Sequence, residues 1–147
     1  MLVESDEEIR EILKDMKKVA VVGLSADPSK PSHYVSKVLK EKGIRLFGVN
    51  PRYEGQNIMG IKVFKSLLEI PEDIDVIVVF RPPEDLPQIL EEALQKGFKV
   101  FWMQPGTVNE EVKKQLLLLG RKVVAGRCIK IEIQRLGISS LLHSLRE

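Results

Sequence analysis

Residues 18–35 read KVAVVGLSADPSKPSHYV, and this stretch decides the fold. Its first part, VAVV at residues 19–22, is an unbroken apolar run rich in β-branched residues, which is typical of a strand buried on both faces in a parallel sheet. Gly23 ends the strand, a polar loop follows, and Ser32 is predicted to be the N-cap of a helix that extends to about Lys42. This corner suits a phosphate, because the start of a helix offers unpaired N–H groups and a partial positive charge.

Apolar runs and helical patterns alternate on both sides of this stretch. A capping-box pattern at Ser5 predicts an N-terminal helix over 5–17. The other predicted elements are strands at 45–49, 61–63, 76–80, 99–103 and 122–125, helices at 84–96 and 109–119, and one helical turn at 66–71. Residues 126–131 are expected to cross the strand ends. The tail, 137–147, contains apolar residues and is either helical or irregular. This alternation predicts an α/β fold, with an open, mostly parallel sheet and helices on both faces.

Length and composition limit the class of protein. The 147 residues suffice for a single domain, 1–147, with its core at about 18–136. A net charge of +2, with charges of both signs, gives no sign of a nucleic-acid partner, and the lone cysteine excludes an intramolecular disulfide. The sequence has no apolar run of membrane-spanning length, and its N-terminus is too acidic for a secretory signal. A cytoplasmic protein without a membrane partner is therefore expected.

Ligands of such sheets bind beyond the carboxyl ends of the strands, where the strand order reverses. The loops expected to meet there are 23–25, 50–52, 80–82, 103–106 and 125–128. A nicotinamide dinucleotide fits them poorly, because the fingerprint needs three glycines and an acid after the second strand. Here Gly23 stands alone and Asn50 takes the place of the acid. Lys30, Arg52 and Arg81 instead favour a ligand with more phosphate charge.

Five sequence blocks occur in a fixed order: VGLS with KPS at 22–32, VNP at 49–51, VFRPPED at 79–85, WMQPG at 102–106 and RCIKIE at 127–132. Together they resemble the single-domain coenzyme A-binding proteins, which are similar to the CoA-binding domain of the succinyl-CoA ligase alpha subunit. The resemblance covers roughly residues 19–136. It implies a Rossmann-like fold that binds coenzyme A (CoA) or an acyl-CoA at the carboxyl ends of the parallel strands. It implies no catalysis by this domain, which would act as a carrier, a sensor or a partner subunit.

The resemblance also assigns residues by position. Gly23, Leu24 and Ser25 would meet the pantetheine or diphosphate, with Lys30, Pro31 and Ser32 beside the phosphates. It places Asn50, Pro51 and Arg52 beside the nucleotide. Phe80, Arg81 and Pro82 would form a wall of the crevice. Met103 and Gln104 would line its thiol end.

Other interpretations stay open at this point. Arg81 could pair with a structural carboxylate such as Asp85 instead of a phosphate. Cys128, next to Arg127, is either a small buried apolar residue or a thiol able to form a mixed disulfide with CoA. Two other functions also remain: an NAD(P)-dependent or acyl-CoA-handling enzyme, and a protein-interaction subunit with a vestigial ligand site. A homodimer is the expected oligomer.

Overall fold

The computed structural model describes residues 1–138. Its strands are β1 (Lys18–Val22), β2 (Arg45–Val49), β3 (Asn57–Ile58), β4 (Ile61–Phe64), β5 (Val76–Val79), β6 (Val100–Met103) and β7 (Lys122–Ala125). Its helices are α1 (Asp6–Asp15), α2 (Pro31–Glu41), α3 (Leu86–Lys96), α4 (Glu110–Leu118) and α5 (Ile129–Arg135). Short 3-10 turns occupy Pro51–Tyr53, Leu67–Glu69 and Pro83–Asp85.

The strands form one sheet in the order β3-β4-β2-β1-β5-β6-β7. Every neighbouring pair is parallel except β3 and β4, which form a short antiparallel edge. β1 lies between β2 and β5, so the chain moves outward from it first in one direction and then in the other. Val22 is in register with both Val49 and Val79, and the three strands therefore end at the same level. The strand order thus reverses beside β1, where ligands of such sheets bind.

Helices cover both faces of the sheet, as the alternation of elements predicts. Val19 and Val21 point to the face that packs on α1, α2 and α5. Ala20 and Val22 point to the opposite face, which packs on α3 and α4. The fold is therefore α/β and Rossmann-like, and the apolar run at 19–22 is buried on both sides.

Two local predictions are wrong. Ser32 is not the N-cap of α2, because the helix starts two residues earlier than predicted, with Pro31 as its first residue and Lys30 at the N-cap position. The hydroxyl of Ser32 instead accepts a hydrogen bond from the backbone N–H of Ser25, at 3.0 Å. The segment 126–131 does not simply cross the strand ends, because α5 begins within it.

Two further predictions stay as they were. A helix in the tail would fall on residues 139–147, which lie outside the described part of the chain, and the domain bounds remain a prediction. Within residues 1–138, none of the helices has the length and apolar character needed to cross a membrane.

Candidate functional site

A cavity of about 790 Å³ lies at the carboxyl ends of the central strands. This volume is within the range of roughly 300–1,000 Å³ that small-molecule and cofactor sites usually occupy. Ten of the predicted binding residues line it: Gly23, Ser25, Lys30, Pro31, Ser32, Asn50, Pro51, Arg52, Phe80 and Arg81. The loops after β1, β2 and β5 therefore meet in one place, as the sheet topology requires.

Gly23 makes the turn out of β1 in a conformation that other residues rarely adopt. Its φ is +97°, and its N–H donates to the carbonyl oxygen of Val49 at 2.7 Å. A Cβ atom added at this position would lie 3.0 Å from Cδ of Arg81 and 3.4 Å from the backbone carbonyl carbon of Phe80. The absent side chain thus makes room for the Arg81 side chain, which packs directly over the turn.

The loop after Gly23 is held in place by three side chains. Ser32 accepts a hydrogen bond from the Ser25 N–H, and Nδ1 of His33 lies 2.9 Å from the Ser25 carbonyl oxygen. From the other side, Nδ2 of Asn50 donates to the Leu24 carbonyl oxygen at 3.0 Å, while its Oδ1 accepts from the N–H of Arg52. Asn50 needs both a donor and an acceptor for this link, and an ionised aspartate has only acceptors. This link gives a structural reason for the asparagine where a dinucleotide-binding protein would carry an acid.

The start of α2 differs from the starts of α1 and α4. Ser5 caps α1 and Asn109 caps α4 with side-chain hydrogen bonds, and both helices have acids in their first turns. No side chain caps α2, its first turn contains no acid, and Lys30 occupies its N-cap position. Pro31 has no N–H, and the N–H groups of His33 and Tyr34 donate to the carbonyl oxygen of Lys30. The positive dipole end of α2 nevertheless borders the cavity beside a cation, which is an arrangement that suits an anion.

Three cationic side chains of the lining, Lys30 among them, have no partner acid within residues 1–138. Lys30, Arg52 and Lys65 all line the cavity, and none of them forms an ion pair with an acid within residues 1–138. They come from the start of α2, the loop after β2 and the end of β4. Arg81 differs, because its Nε and Nη2 both donate to Oδ2 of Asp85, at 3.0 and 2.8 Å. The structural carboxylate considered from the sequence is therefore its partner here.

Four predicted binding residues lie outside the lining. Pro82 is exposed but does not border the cavity, and the side chains of Leu24 and Met103 are fully buried in the core. Gln104 is only 3% exposed, and its Oε1 accepts the backbone N–H of Ile129, the first residue of α5. Their roles as ligand contacts stay predictions, which for Leu24 and Met103 would require backbone rather than side-chain contact.

Cys128 also lies outside this cavity. It is half-buried and packs against the core cluster on the α1, α2 and α5 side of the sheet. The guanidinium of Arg127 binds Glu132 and the carbonyl oxygen of Glu4. The charge of Arg127 is thus engaged by Glu132, and disulfide formation between Cys128 and CoA stays a prediction.

Sequence reasoning missed one wall of the cavity. It is formed by Asp85, Gln88, Ile89 and Glu92, together with Lys65, Tyr53, Leu67, Pro105 and Thr107. The α3 members are spaced at i, i+3, i+4 and i+7, so a helical wheel places them on one face, but it cannot show what that face meets. Glu92 also accepts hydrogen bonds from the hydroxyl of Ser66 and the N–H of Leu67, which attaches α3 to the segment after β4.

No metal site accompanies the cavity, since residues 1–138 contain no group of three His, Cys, Asp or Glu placed to hold an ion. The available chemistry is that of an anion site: an uncapped helix start, three unpaired cations and a polar wall.

Comparison with known proteins places the chain in a family. A family model described as a CoA binding domain matches residues 17–134. The uncharacterised protein YneT of Bacillus subtilis is 44% identical over 127 residues, which cover 86% of this chain and 93% of that protein. A solved structure from Thermus thermophilus, cell-free ID.343, has a TM-score of 0.87 and 41% identity, covering 90% of this chain and 99% of that one.

A longer relative is the alpha subunit of ADP-forming acetate–CoA ligase I from Pyrococcus furiosus, with 38% identity over 122 residues. The match covers 76% of this chain but only 26% of the ligase subunit. With the family model covering most of its length, this chain belongs to the CoA-binding domain family and is related to the CoA-ligase alpha-subunit domain.

Proposed function

We propose that the chain binds CoA or an acyl-CoA in the cavity at the carboxyl ends of its parallel strands. The observation that carries the proposal is the concentration of unpaired positive charge there. Lys30, Arg52 and Lys65 line the cavity beside the uncapped start of α2. A diphosphate at the helix start would lie at the positive end of the helix dipole, beside Lys30 and Ser32, as in other phosphate sites of this topology.

On the same grounds we assign parts of the ligand to parts of the cavity. The diphosphate lies at Ser25, Lys30 and Ser32, where the first loop meets α2. The nucleotide lies over the loop after β2. Arg52 and Lys65 both line the cavity and would bind a further phosphate of the nucleotide. The pantetheine arm then extends over the end of β5, toward Phe80 and Pro105.

The proposal concerns binding, and the role we assign is that of a cytoplasmic carrier, sensor or partner subunit without catalysis of its own. The ligase subunit is much longer than the matched region, which is 26% of its length. Its reaction is therefore not transferred to this chain. A homodimer and a larger complex with a partner chain both remain compatible with this role.

A calorimetric titration under reducing conditions tests the proposal. CoA is expected to bind at micromolar concentration or below, and dephospho-CoA, NAD and NADP are expected to bind more weakly. Arg52→Ala and Lys65→Ala should each lower the affinity for CoA by about 10-fold, which is the usual effect of losing one charge-assisted contact to phosphate. If the 3′-phosphate is their target, both variants should bind dephospho-CoA as well as the unaltered protein does.

Lys114→Ala is the matched control, because Lys114 is exposed on α4 and does not line the cavity. It should leave the affinity for CoA unchanged. Binding of NAD or NADP with no heat from CoA would contradict the proposal and direct attention to a redox enzyme. Absence of binding by all four ligands would instead favour the vestigial site of an interaction subunit.

A further inference from the structure

The carboxylate of Asp85 is the partner of Arg81. Asp85 is the last residue of the 3-10 turn Pro83–Asp85, and its helical backbone angles lead this turn directly into α3. Its side chain forms no hydrogen bond to the first turn of α3. Its Oδ2 accepts two hydrogen bonds from Arg81 instead, so the guanidinium has a fixed partner.

Arg81 is held from two directions. A Cβ atom added at Gly23 would lie only 3.0 Å from Cδ of Arg81. The apolar stem of Arg81 therefore covers the turn at Gly23 that follows β1. Asp85 fixes its outer end. Both side chains line the cavity and remain partly exposed, at 48% for Arg81 and 40% for Asp85. The pair therefore presents a neutral surface to any ligand that lies there.

The cations of the cavity divide into two groups by position. Three cations follow neighbouring parts of the sheet: Lys65 follows β4, Arg52 follows β2, and Lys30 precedes α2, the helix after β1. None of them pairs with an acid within residues 1–138. β5 supplies Arg81, whose charge Asp85 offsets. Beyond it, after β6, the lining continues with Pro105 and Thr107, which carry no charge. The cavity thus has a basic end, where three cations outnumber the one acid, Glu92, that binds the segment after Lys65, and an end without free positive charge.

Phosphates would occupy the basic end, and the rest of the ligand would extend toward the other. We infer that Asp85 restricts the cavity to free CoA and to thioesters with an uncharged acyl group. It does so by occupying the guanidinium that would otherwise bind an acyl carboxylate. This inference rests on the proposed binding of CoA. An acyl carboxylate at this end would lose water beside a neutral ion pair and would find no free cation to bind.

The test compares CoA, acetyl-CoA and succinyl-CoA by calorimetry. The unaltered protein should bind succinyl-CoA about fivefold or more weakly than acetyl-CoA, because a carboxylate that is desolvated without a hydrogen-bond donor loses at least this much. Asp85→Asn releases Arg81 and should bring the two affinities together or reverse their order. Acetyl-CoA itself should change little. Glu84→Gln is the matched control, because Glu84 is an exposed acid of the same turn that does not line the cavity.

A double variant, Asp85→Asn with Arg81→Met, identifies the group responsible. Methionine keeps much of the apolar stem over Gly23 but has no charge, so the gain for succinyl-CoA should disappear. Exposed ion pairs four residues apart contribute little to stability, and thermal melting of each variant checks that it is folded.

Two results would overturn the inference while leaving the proposed function intact. One is equal binding of acetyl-CoA and succinyl-CoA by the unaltered protein. The other is an unchanged ratio of their affinities in Asp85→Asn. Absence of binding by CoA itself overturns the proposed function, and the inference falls with it.

Discussion

Gly23 and Arg81 are interdependent at the floor of the cavity. The turn at Gly23 has a positive φ, and the closest atoms to a Cβ there are Cδ and Cγ of Arg81. By resemblance, this glycine would meet the pantetheine or the diphosphate. In the structure, the stem of Arg81 takes the space where a side chain of residue 23 would lie.

Gly23→Ala should therefore destabilise the fold. The left-handed conformation alone costs an alanine about 1–2 kcal/mol, and displacement of Arg81 adds to this. Gly106→Ala provides the comparison, because Gly106 also has a positive φ, +82°, but has no atom within 4 Å of the added Cβ. Urea unfolding of both variants should show the larger loss at Gly23. Equal losses would contradict the contact with Arg81.

At the scale of elements, Asp75 ties the start of β1 to the start of β5. Its Oδ2 accepts the backbone N–H groups of Lys17 and Lys18, each at 2.9 Å, and its Oδ1 lies 3.4 Å from Nζ of Lys99. Partial burial by itself would raise the pKa of Asp75, but the two N–H donors and Lys99 more than offset it, so the pKa is lowered. The carboxylate thus stabilises the register of the two central strands.

This arrangement predicts a pH dependence of stability. Because the pKa of Asp75 is lower in the folded state, its contribution is complete above the unfolded-state pKa, about 3.9, and is lost as the pH falls through the folded value. Asp75→Asn should reduce the free energy of unfolding by about 1–2 kcal/mol at pH 7, because one charge-assisted acceptor is lost. The difference should shrink below pH ~4.

Asp73→Asn is the control, since Asp73 is an exposed acid of the same segment. Denaturant unfolding from pH 7 to pH 2.5 gives the comparison. A difference between Asp75→Asn and the unaltered protein that stays constant over this range would contradict the role of the charge.

α5 shows how a local pattern can mislead. Residues 129–134 read IKIEIQ, a strict alternation that gives no helical signal. In the helix, Ile129 and Ile133 are fully buried, whereas Ile131 is 56% exposed. Glu132 is also buried, between Arg127 and Arg135, and Arg135 binds Asp6 of α1. These partners come from the two ends of the chain, so only the assembled molecule can supply them.

At the scale of the molecule, a ligand that binds only the folded state raises its stability. CoA at 100 times its dissociation constant should add about 2.7 kcal/mol, which corresponds to roughly 5–10 °C in the melting temperature of a domain of this size. Arg52→Ala should show a smaller shift at the same concentration of CoA. Inorganic diphosphate provides a second comparison, and a shift as large as that of CoA would indicate general anion binding instead of CoA recognition.

The sequence by itself determined the α/β class, nearly all of the elements and the three loops after β1, β2 and β5 that meet at the cavity, whereas no residue of the predicted loop 125–128 lines it. Apolar runs and helical spacing are local properties, and the carboxyl ends of parallel strands must lie on one edge of the sheet. The sequence blocks also indicated the CoA-binding family, which the family match over residues 17–134 confirms.

Only the tertiary structure decided which side chains face the cavity. It turned Leu24 and Met103 into the core, joined Gln104 to α5, and brought Lys65 and one face of α3 into the lining. It also paired Arg81 with Asp85. The direction of a side chain at the end of a strand depends on what packs against it, and those neighbours are distant in sequence.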